Sequence, residues 1–562
     1  MFLDFETSGL RVVDSHVVSQ SRRQIYQPNI THQLNMTRFH LLIAFVFCAI
    51  FSHAQTIEVS GLQSGVWDAD TVYVIDNVKV QDSLRILPGT KVLFQDFYRI
   101  SVKNGATLKA VGTENDSILF TVIDTTGFHV FNSGQGGWNG IRLEKAGPSQ
   151  FDFCRFQYGK AALDADQDGG ALRIFRCDEV KVSNSTLFCN FSREHGGALN
   201  AECSNVVMHD CDILNNLTYT GLDTVYFMYG GGLRFINCRV DLTEMDFRYN
   251  NGTSAIGGAL SLDSCAVRID RCKFEHNYGI NGGGLYLIRS NDWMCSISNS
   301  LFANNISGHF GGGLAISDSS PLLNNITVVN NLSVGVNCGG IFFYQCSSPV
   351  LWNCIIYDNT NEAPLEEPIQ MWIWTYEDNA PQFHNCMIQY GLENISGYEY
   401  IQVYENCSDV EPLFVDPENE DFHLCDNSPC INAGSPETPA EILNGLDLDG
   451  NQRVCGDRID IGAYEYDLTG VIEIAQKENL IRIVGNPVTA SSYAEINLES
   501  EGMLSVKVYS MDGKVLASNG FIFVHSGSNN IALGELFATL PSGTYLLVFE
   551  TASRTFVTKV VK

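Results

Sequence analysis

Asp164, Asp166 and Asp168 alternate ahead of Gly169, so three carboxylates fall at every second position before a residue that turns freely. Oxygens so spaced can converge on a hard cation, and Ca2+ is the cofactor such a set implies. A twelve-residue calcium loop would need an acid at position 175, which is Phe175, and the competing reading is a solvated acidic loop. Asp447 and Asp449 pose the same choice. Two aromatic groups are the candidates for ligand contact. Tyr219, Tyr226 and Tyr229 crowd one segment with Phe227, and Trp372, Trp374 and Tyr376 alternate as the residues on one face of a strand do. Exposed rings beside loops can stack on sugar rings, and the alternative is that they shield the core from water. His195, His276 and His309 recur near corners and read as turn residues. The catalytic set stays unknown: a glycosidase needs two facing carboxylates and a lyase pairs acids with a base, but 64 acidic residues supply such pairs by chance.

What must position these groups is a repeat. A bulky apolar residue is followed three positions later by asparagine at Asn190, Asn216, Asn250, Asn277, Asn305, Asn331 and Asn359, in steps of 26, 34, 27, 28, 26 and 28 residues. The words GGAL, at Gly169, Gly196 and Gly257, and GGGL, at Gly230, Gly282 and Gly311, keep the same phase. A period in this range marks a stacked architecture. Between the words lie runs such as Val267 to Phe274, with Val267 and Ile269 on one side, which is strand periodicity. Short strands with glycine and asparagine punctuation coil into a parallel β-helix. Asparagine suits the corner because it tolerates the left-handed backbone, and its amide can bond to its copy about 4.8 Å away. Five residues before each asparagine stand Ser185, Cys211, Met245, Cys272, Ser300, Ile326 and Cys354, a small or soft inward file. Related words at Cys154 and Cys386 extend the array to nine coils.

The balance of 34 basic against 64 acidic residues gives a net charge of −30. That excludes nucleic acid and anionic membrane as partners, and an acidic polysaccharide would need a local basic patch or a bridging cation. Met36 to His40 is a basic start, Leu41 to Phe51 an apolar run, and Ser52-His53-Ala54 offers small residues for cleavage between Ala54 and Gln55. The run is too short to span a bilayer. Residues 36–54 are therefore expected to be a signal peptide and 1–35 an upstream extension. The mature chain is expected at the outer cell surface or secreted, without a transmembrane segment. Of 18 cysteines, cleavage removes Cys48 and leaves an odd number, so at least one is unpaired. Inter-coil disulfides and buried thiols both fit the rest.

Residues 55–145, with Ile86 to Phe94 and Gly137-Trp138-Asn139-Gly140-Ile141, read as a cap and first coils. They resemble the opening of secreted right-handed parallel β-helix proteins of the pectate-lyase-like superfamily. The repeat words of residues 146–410 resemble those of chlamydial polymorphic outer-membrane proteins, which are adhesins. Within 411–467, Ser428 to Gly434, Asp447 to Arg453 and Ile459 to Glu465 resemble the closing segment of choice-of-anchor β-helix proteins, and Cys430 and Cys455 stand where a disulfide could staple it. Residues 468–562, with Gly485-Asn486-Pro487-Val488, Val506 to Val515 and Leu540 to Val548, are similar to the type IX secretion sorting domain of Bacteroidota. That resemblance implies the type IX machinery as a partner, export across the outer membrane and removal of the module. The expected fold is all-β: a right-handed parallel β-helix solenoid followed by a small C-terminal β-sandwich. The expected function is non-catalytic, adhesin-like binding to glycans or cell surfaces. The alternative is a polysaccharide lyase or glycoside hydrolase acting on an acidic glycan.

Overall fold

The computed structural model describes residues 55–163, 166–219, 228–253, 255–290, 295–335, 337–345, 347–362, 369–374, 380–466, 481–484, 488–489, 492–498, 502–509, 515–550 and 555–562. The segment 36–54 expected to be a signal peptide, with Ala54 at its end, and Asp164, Tyr226 and Tyr376 lie outside them.

One coil explains the architecture. After Gly257-Gly258 come the strands Leu260–Asp263, Ala266–Asp270, Lys273–Glu275 and Tyr278–Asn281, and then the next glycine pair. Each strand pairs in parallel with its copies above and below: Leu260–Asp263 lies between Leu233–Ile236 and Leu285–Ile288, in unbroken register. The second and third strands do the same, against Ser296–Ser298 and Leu301–Ala303. From Lys160 to Asn361 the coils run along three long faces and add a short strand on a fourth, with the second and third faces joined in a single strand at Val180–Phe188, Asn205–Leu214 and Arg239–Arg248. The parallel pairing begins at Thr56 with Thr71.

Alternation places Leu260, Leu262, Val267, Ile269 and Phe274 in one continuous core. The bulky residue three before each asparagine stacks on its copies, with ring centroids 4.5 Å apart from Phe247 to Phe274 and again from Phe274 to Phe302. The glycine pair answers two separate demands. Gly196 has φ +59°, and a Cβ there would meet the Leu199 carbonyl at 2.0 Å, while a Cβ on Gly197 would meet the Gly231 carbonyl of the next coil at 2.2 Å.

The asparagines form a buried ladder. Each Nδ2 donates to the next Oδ1 at 2.9–3.0 Å from Asn190 to Asn359, and Asn359 passes the bond to Gln370 Oε1 at 3.0 Å. The left-handed backbone expected at these residues falls one position earlier, on Cys189, Asn215, Tyr249, His276, Asn304, Asn330 and Asp358, with φ of 51–56°. The positive-φ residue makes the bend, and the asparagine after it turns its amide into the stack. Between the second and third faces a second asparagine file, Asn299, Asn325, Asn353 and Asn385, does adopt positive φ.

Residues 411–466 fold back along the flank of the third face. Phe422, Leu448, Ala463 and Tyr464 cover Leu301, Ala303 and Val329. Asn325 Nδ2 donates to the Asp460 and Gly462 carbonyls at 2.8 and 3.1 Å, Asn353 Nδ2 to Thr438 Oγ1 at 2.8 Å, and Asn385 Nδ2 to the Ala433 carbonyl at 3.0 Å. One expectation is corrected here. Cys430 and Cys455 do not form a disulfide: Cys430 is a thiol buried with Ile355, Met387 and Ile461, and Cys455 donates to the Gln452 carbonyl at 3.2 Å. Asp447 accepts the backbone N–H groups of Asp449, Asn451 and Glu465 at 3.0, 2.7 and 2.9 Å, so its carboxylate ties its own loop.

Residues 467–562 form a second compact unit. In it the antiparallel strands Ile481–Val484, Tyr493–Leu498 and Gly527–Ala532 make one sheet, and Gly502–Tyr509, Val515–Val524, Thr544–Glu550 and Thr555–Val561 make another. Leu504, Val506, Val508, Leu547 and Phe549 fill the space between them, a small β-sandwich. Among the described residues no helix is long and apolar enough to cross a membrane.

Candidate functional site

The outward positions of the first face are where the repeat stops repeating. Leu172, Leu199, Leu233, Leu260, Leu285, Leu314, Ile341 and Met371 hold the inward register, and the residue after each points away: Arg173, Asn200, Arg234, Ser261, Tyr286, Ala315, Phe342 and Trp372. The residue before each glycine pair forms a flanking column, in which Asp168, His195 and Tyr229 bridge in register. One face thus runs from charged to aromatic as it climbs.

At the charged end a cleft of about 300 Å³ is lined by Arg99, Lys103, Arg142, Glu144, Asp166 and Arg173. Arg142 is its fixed centre. Nε donates to Asp166 Oδ2 at 2.7 Å, Nη1 to the Gly169 carbonyl at 2.7 Å and Nη2 to Asn139 Oδ1 at 2.8 Å. Its burial pulls the guanidinium pKa down and Asp166 opposes that pull. Asp166 also faces Arg99 at 3.5 Å and Arg173 at 3.9 Å. Of the three acids that could converge on Ca2+, Asp164 lies outside the described residues, and Asp166 is held among three arginines.

Asp168 instead meets Glu194 and His195, with ligand atoms all within 4.8 Å of one another. A nitrogen in the set suits zinc or another transition ion better than calcium. Arg173, 3.9 Å from Asp168, and the charge of Arg234 oppose any cation there. Burial pushes Asp168 up to about 6. Burial, with Arg234, pushes His195 down to about 3, and Nδ1 accepts the Tyr229 N–H at 3.3 Å, so the neutral ring carries its proton on Nε2. Asp166 Oδ1, Asp168 Oδ1, Arg173 Nε and Arg234 Nε are buried without a hydrogen-bond partner. His195, read from the sequence as a turn residue, is thus part of the charged end.

The aromatic end holds a cleft of about 290 Å³ lined by Asn281, Tyr286, Phe310, Phe342, Tyr344 and Trp374, among others. Phe342 is its buried floor, 4.4 Å from Phe310, and Trp374 is the exposed wall, edge-on to Tyr344 at 5.9 Å. Trp372 and Trp374 share one side, as their alternation predicts, stacked 5.7 Å apart. Tyr229 joins the two ends: Arg234 lies 5.5 Å from its ring and Tyr286 6.5 Å. Tyr219 does not join them. It packs edge-on against Phe131 at 5.2 Å, at the corner after Leu217–Thr218.

Tyr286, Phe310, Phe342 and Tyr344 lie inside the regular coils and not where the repeat breaks. The sequence signal for Tyr286 and Phe342 is a large ring at the outward position after an inward Leu or Ile, as in Leu285-Tyr286-Leu287, whereas Phe310 stands before the glycine pair and Tyr344 two residues after Phe342.

Residues 257–408 match the family model described as right handed beta helix region. The fold is a right-handed parallel β-helix. No curated protein matches the chain. Solved structures similar to it include the following two. A double mutant of the periplasmic alginate epimerase AlgG is 12% identical, with a TM-score of 0.30, over 62% of this chain and 79% of that one. The enzymatically active domain of bacteriophage CBA120 tailspike protein 4 is 12% identical, with a TM-score of 0.18, over 90% of this chain and 60% of that one.

Proposed function

We propose that this chain is a secreted or cell-surface β-helix protein that binds an acidic polysaccharide along its first face, without turning it over. The observation that carries this reading is the succession of two clefts on one rigid sheet, cations at one end and rings at the other. Guanidinium forks receive carboxylates or sulfates, and flat rings receive the apolar faces of sugars. A chain of net charge −30 repels an acidic glycan overall, and the partly exposed Arg99 and Arg173, held beside the buried Arg142–Asp166 pair, supply the local attraction. From Arg173 to Trp374 the face rises seven coils, about 34 Å at about 4.8 Å each, which matches a chain of several sugars and not a single one. Export through a signal peptide at 36–54 and then type IX secretion belongs to the same proposal. It is supported by the Met36 to Ala54 pattern and by the terminal β-sandwich unit.

A second reading, cleavage of the same glycan by lyase or hydrolase chemistry, has Asp168 in its favour. At about 6 it is poised to exchange a proton near neutral pH. His195, at about 3, is too weak a base for that pH, which favours binding. The test screens the purified full chain against a glycan array and assays the bound glycans for new unsaturated or reducing ends. Saturable binding that Arg173→Glu removes, without new ends, is the expected result. Product formation that Asp168→Asn abolishes would overturn the binding-only reading.

A further inference from the structure

A separate recess lies on the second face, between the strands Ala266–Asp270, Ser296–Ser298 and Leu322–Asn324 and the flanking segment, where Ile442, Gly445 and Leu446 border it. Its volume is about 230 Å³. The charged groups around it already satisfy one another. Asp270 Oδ2 accepts from Arg268 Nη2 at 3.0 Å and Arg271 Nη1 at 2.8 Å, and its Oδ1 accepts from Ser298 Oγ at 3.0 Å and Asn299 Nδ2 at 2.9 Å. Arg268 also reaches Asp241 Oδ1 at 3.0 Å, and Arg271 reaches Glu244 Oε1 at 3.2 Å through Nε.

What is left over is amide. Asn324, 1% exposed, has no hydrogen-bond partner on either Oδ1 or Nδ2, and Asn299, 3% exposed, has none on Oδ1. A folded protein rarely buries a primary amide with its donors and acceptor all idle. The next residue along, Asn325, spends its amide on the flanking segment, so it does not turn to the recess. A cation would find no free carboxylate here, and an anion would find both arginines engaged. A hydroxyl fits, because it donates and accepts at once. The volume lies below the roughly 300–1,000 Å³ of sites for drug-sized molecules, which limits the occupant to about one ring.

We propose that this recess binds a single neutral sugar or a similar small polyol. Its hydroxyls donate to Asn299 Oδ1 and Asn324 Oδ1 and accept from Asn324 Nδ2, while Ile442 and Leu446 cover the ring. The site is independent of the polysaccharide reading of the first face.

The test titrates the purified full chain with glucose, galactose, mannose, N-acetylglucosamine and glycerol, and with glucuronate as the charged comparison, by saturation-transfer NMR and calorimetry. At least one should bind saturably. Affinity should fall at least tenfold in Asn324→Leu, which keeps the size and removes the amide. It should be lost in Leu446→Trp, which fills the recess from its rim, with an unchanged melting temperature reporting that this variant is folded. Binding lost in Trp374→Ala but intact in Asn324→Leu would belong to the first face and overturn the proposal. So would the absence of any binding, in which case the recess holds only water, or tighter binding of glucuronate than of glucose.

Discussion

The side-chain amide of Asn250 donates to Asn277 Oδ1 at 3.0 Å, and the backbone N–H of Asn250 donates to the same oxygen at 3.0 Å. One oxygen thus ties two donors of the preceding coil, and the arrangement recurs along the ladder. Asn277→Ala strands both donors of Asn250 in the core. A buried donor left unsatisfied costs about 1–3 kcal/mol, so a loss on the order of 3 kcal/mol is expected, read from denaturant midpoints of variant and parent. A loss under about 1 kcal/mol would show that the ladder is incidental to stability.

His423 joins two parts of the flanking segment, with Nδ1 2.6 Å from Asp421 and Nε2 2.6 Å from Asp449. The bond to Asp449, then the bond to Asp421, raise it to about 8 against the pull of burial. An unfolded histidine titrates near 6.5, so the clamp contributes fully below about 6.5 and is lost as pH rises through about 8. Hydrogen exchange, corrected for its intrinsic pH dependence, should speed up at residues 421–424 and 447–451 between pH 6 and pH 9. The change should vanish in His423→Gln. Equal protection at both pH values in the parent would contradict the clamp.

The inward cysteines are predicted to be inert. Burial raises Cys272 to about 12, so at pH 8 only about one molecule in ten thousand carries a thiolate there. Iodoacetamide should label exposed Cys203 in the native protein and reach Cys272 only after unfolding. Mass spectrometry of peptides after timed labelling checks this, and early labelling of Cys272 would mean that the coils open.

Trp374 is 43% exposed, so Trp374→Ala removes a contact surface without emptying the core. Glycan affinity on the array should drop at least tenfold, with the melting temperature unchanged. Phe342→Ala should lose both affinity and stability, because that ring is the buried floor of the cleft. If Trp374→Ala binds like the parent, the ligand does not reach the aromatic end.

The repeat was legible because stacking acts on it locally. Each glycine pair, inward leucine and ladder asparagine contacts its own copy about 4.8 Å away, so the demand recurs with the coil and shows in the linear order. The positive φ beside the ladder was misplaced by one residue, because bend and amide are neighbours in sequence and only the backbone separates their roles. The outward rings went unnoticed because a face without stacking demands carries no period. Trp372 and Trp374 were visible only because two large rings alternate within one strand.

By itself, the sequence determined the coil, its corners, its core and its all-β terminal module, since these follow from short-range geometry repeated many times. Only the tertiary structure decided which unlike residues meet. Asp168 came to Glu194 and His195 of the next coil, Asp166 to Arg142, Tyr286 to Tyr229, and the flanking segment to Asn325 and Asn353. Those meetings depend on how many residues each coil inserts before returning to register. They make Asp166 an arginine-bound carboxylate and Asp168 a separate partner of histidine.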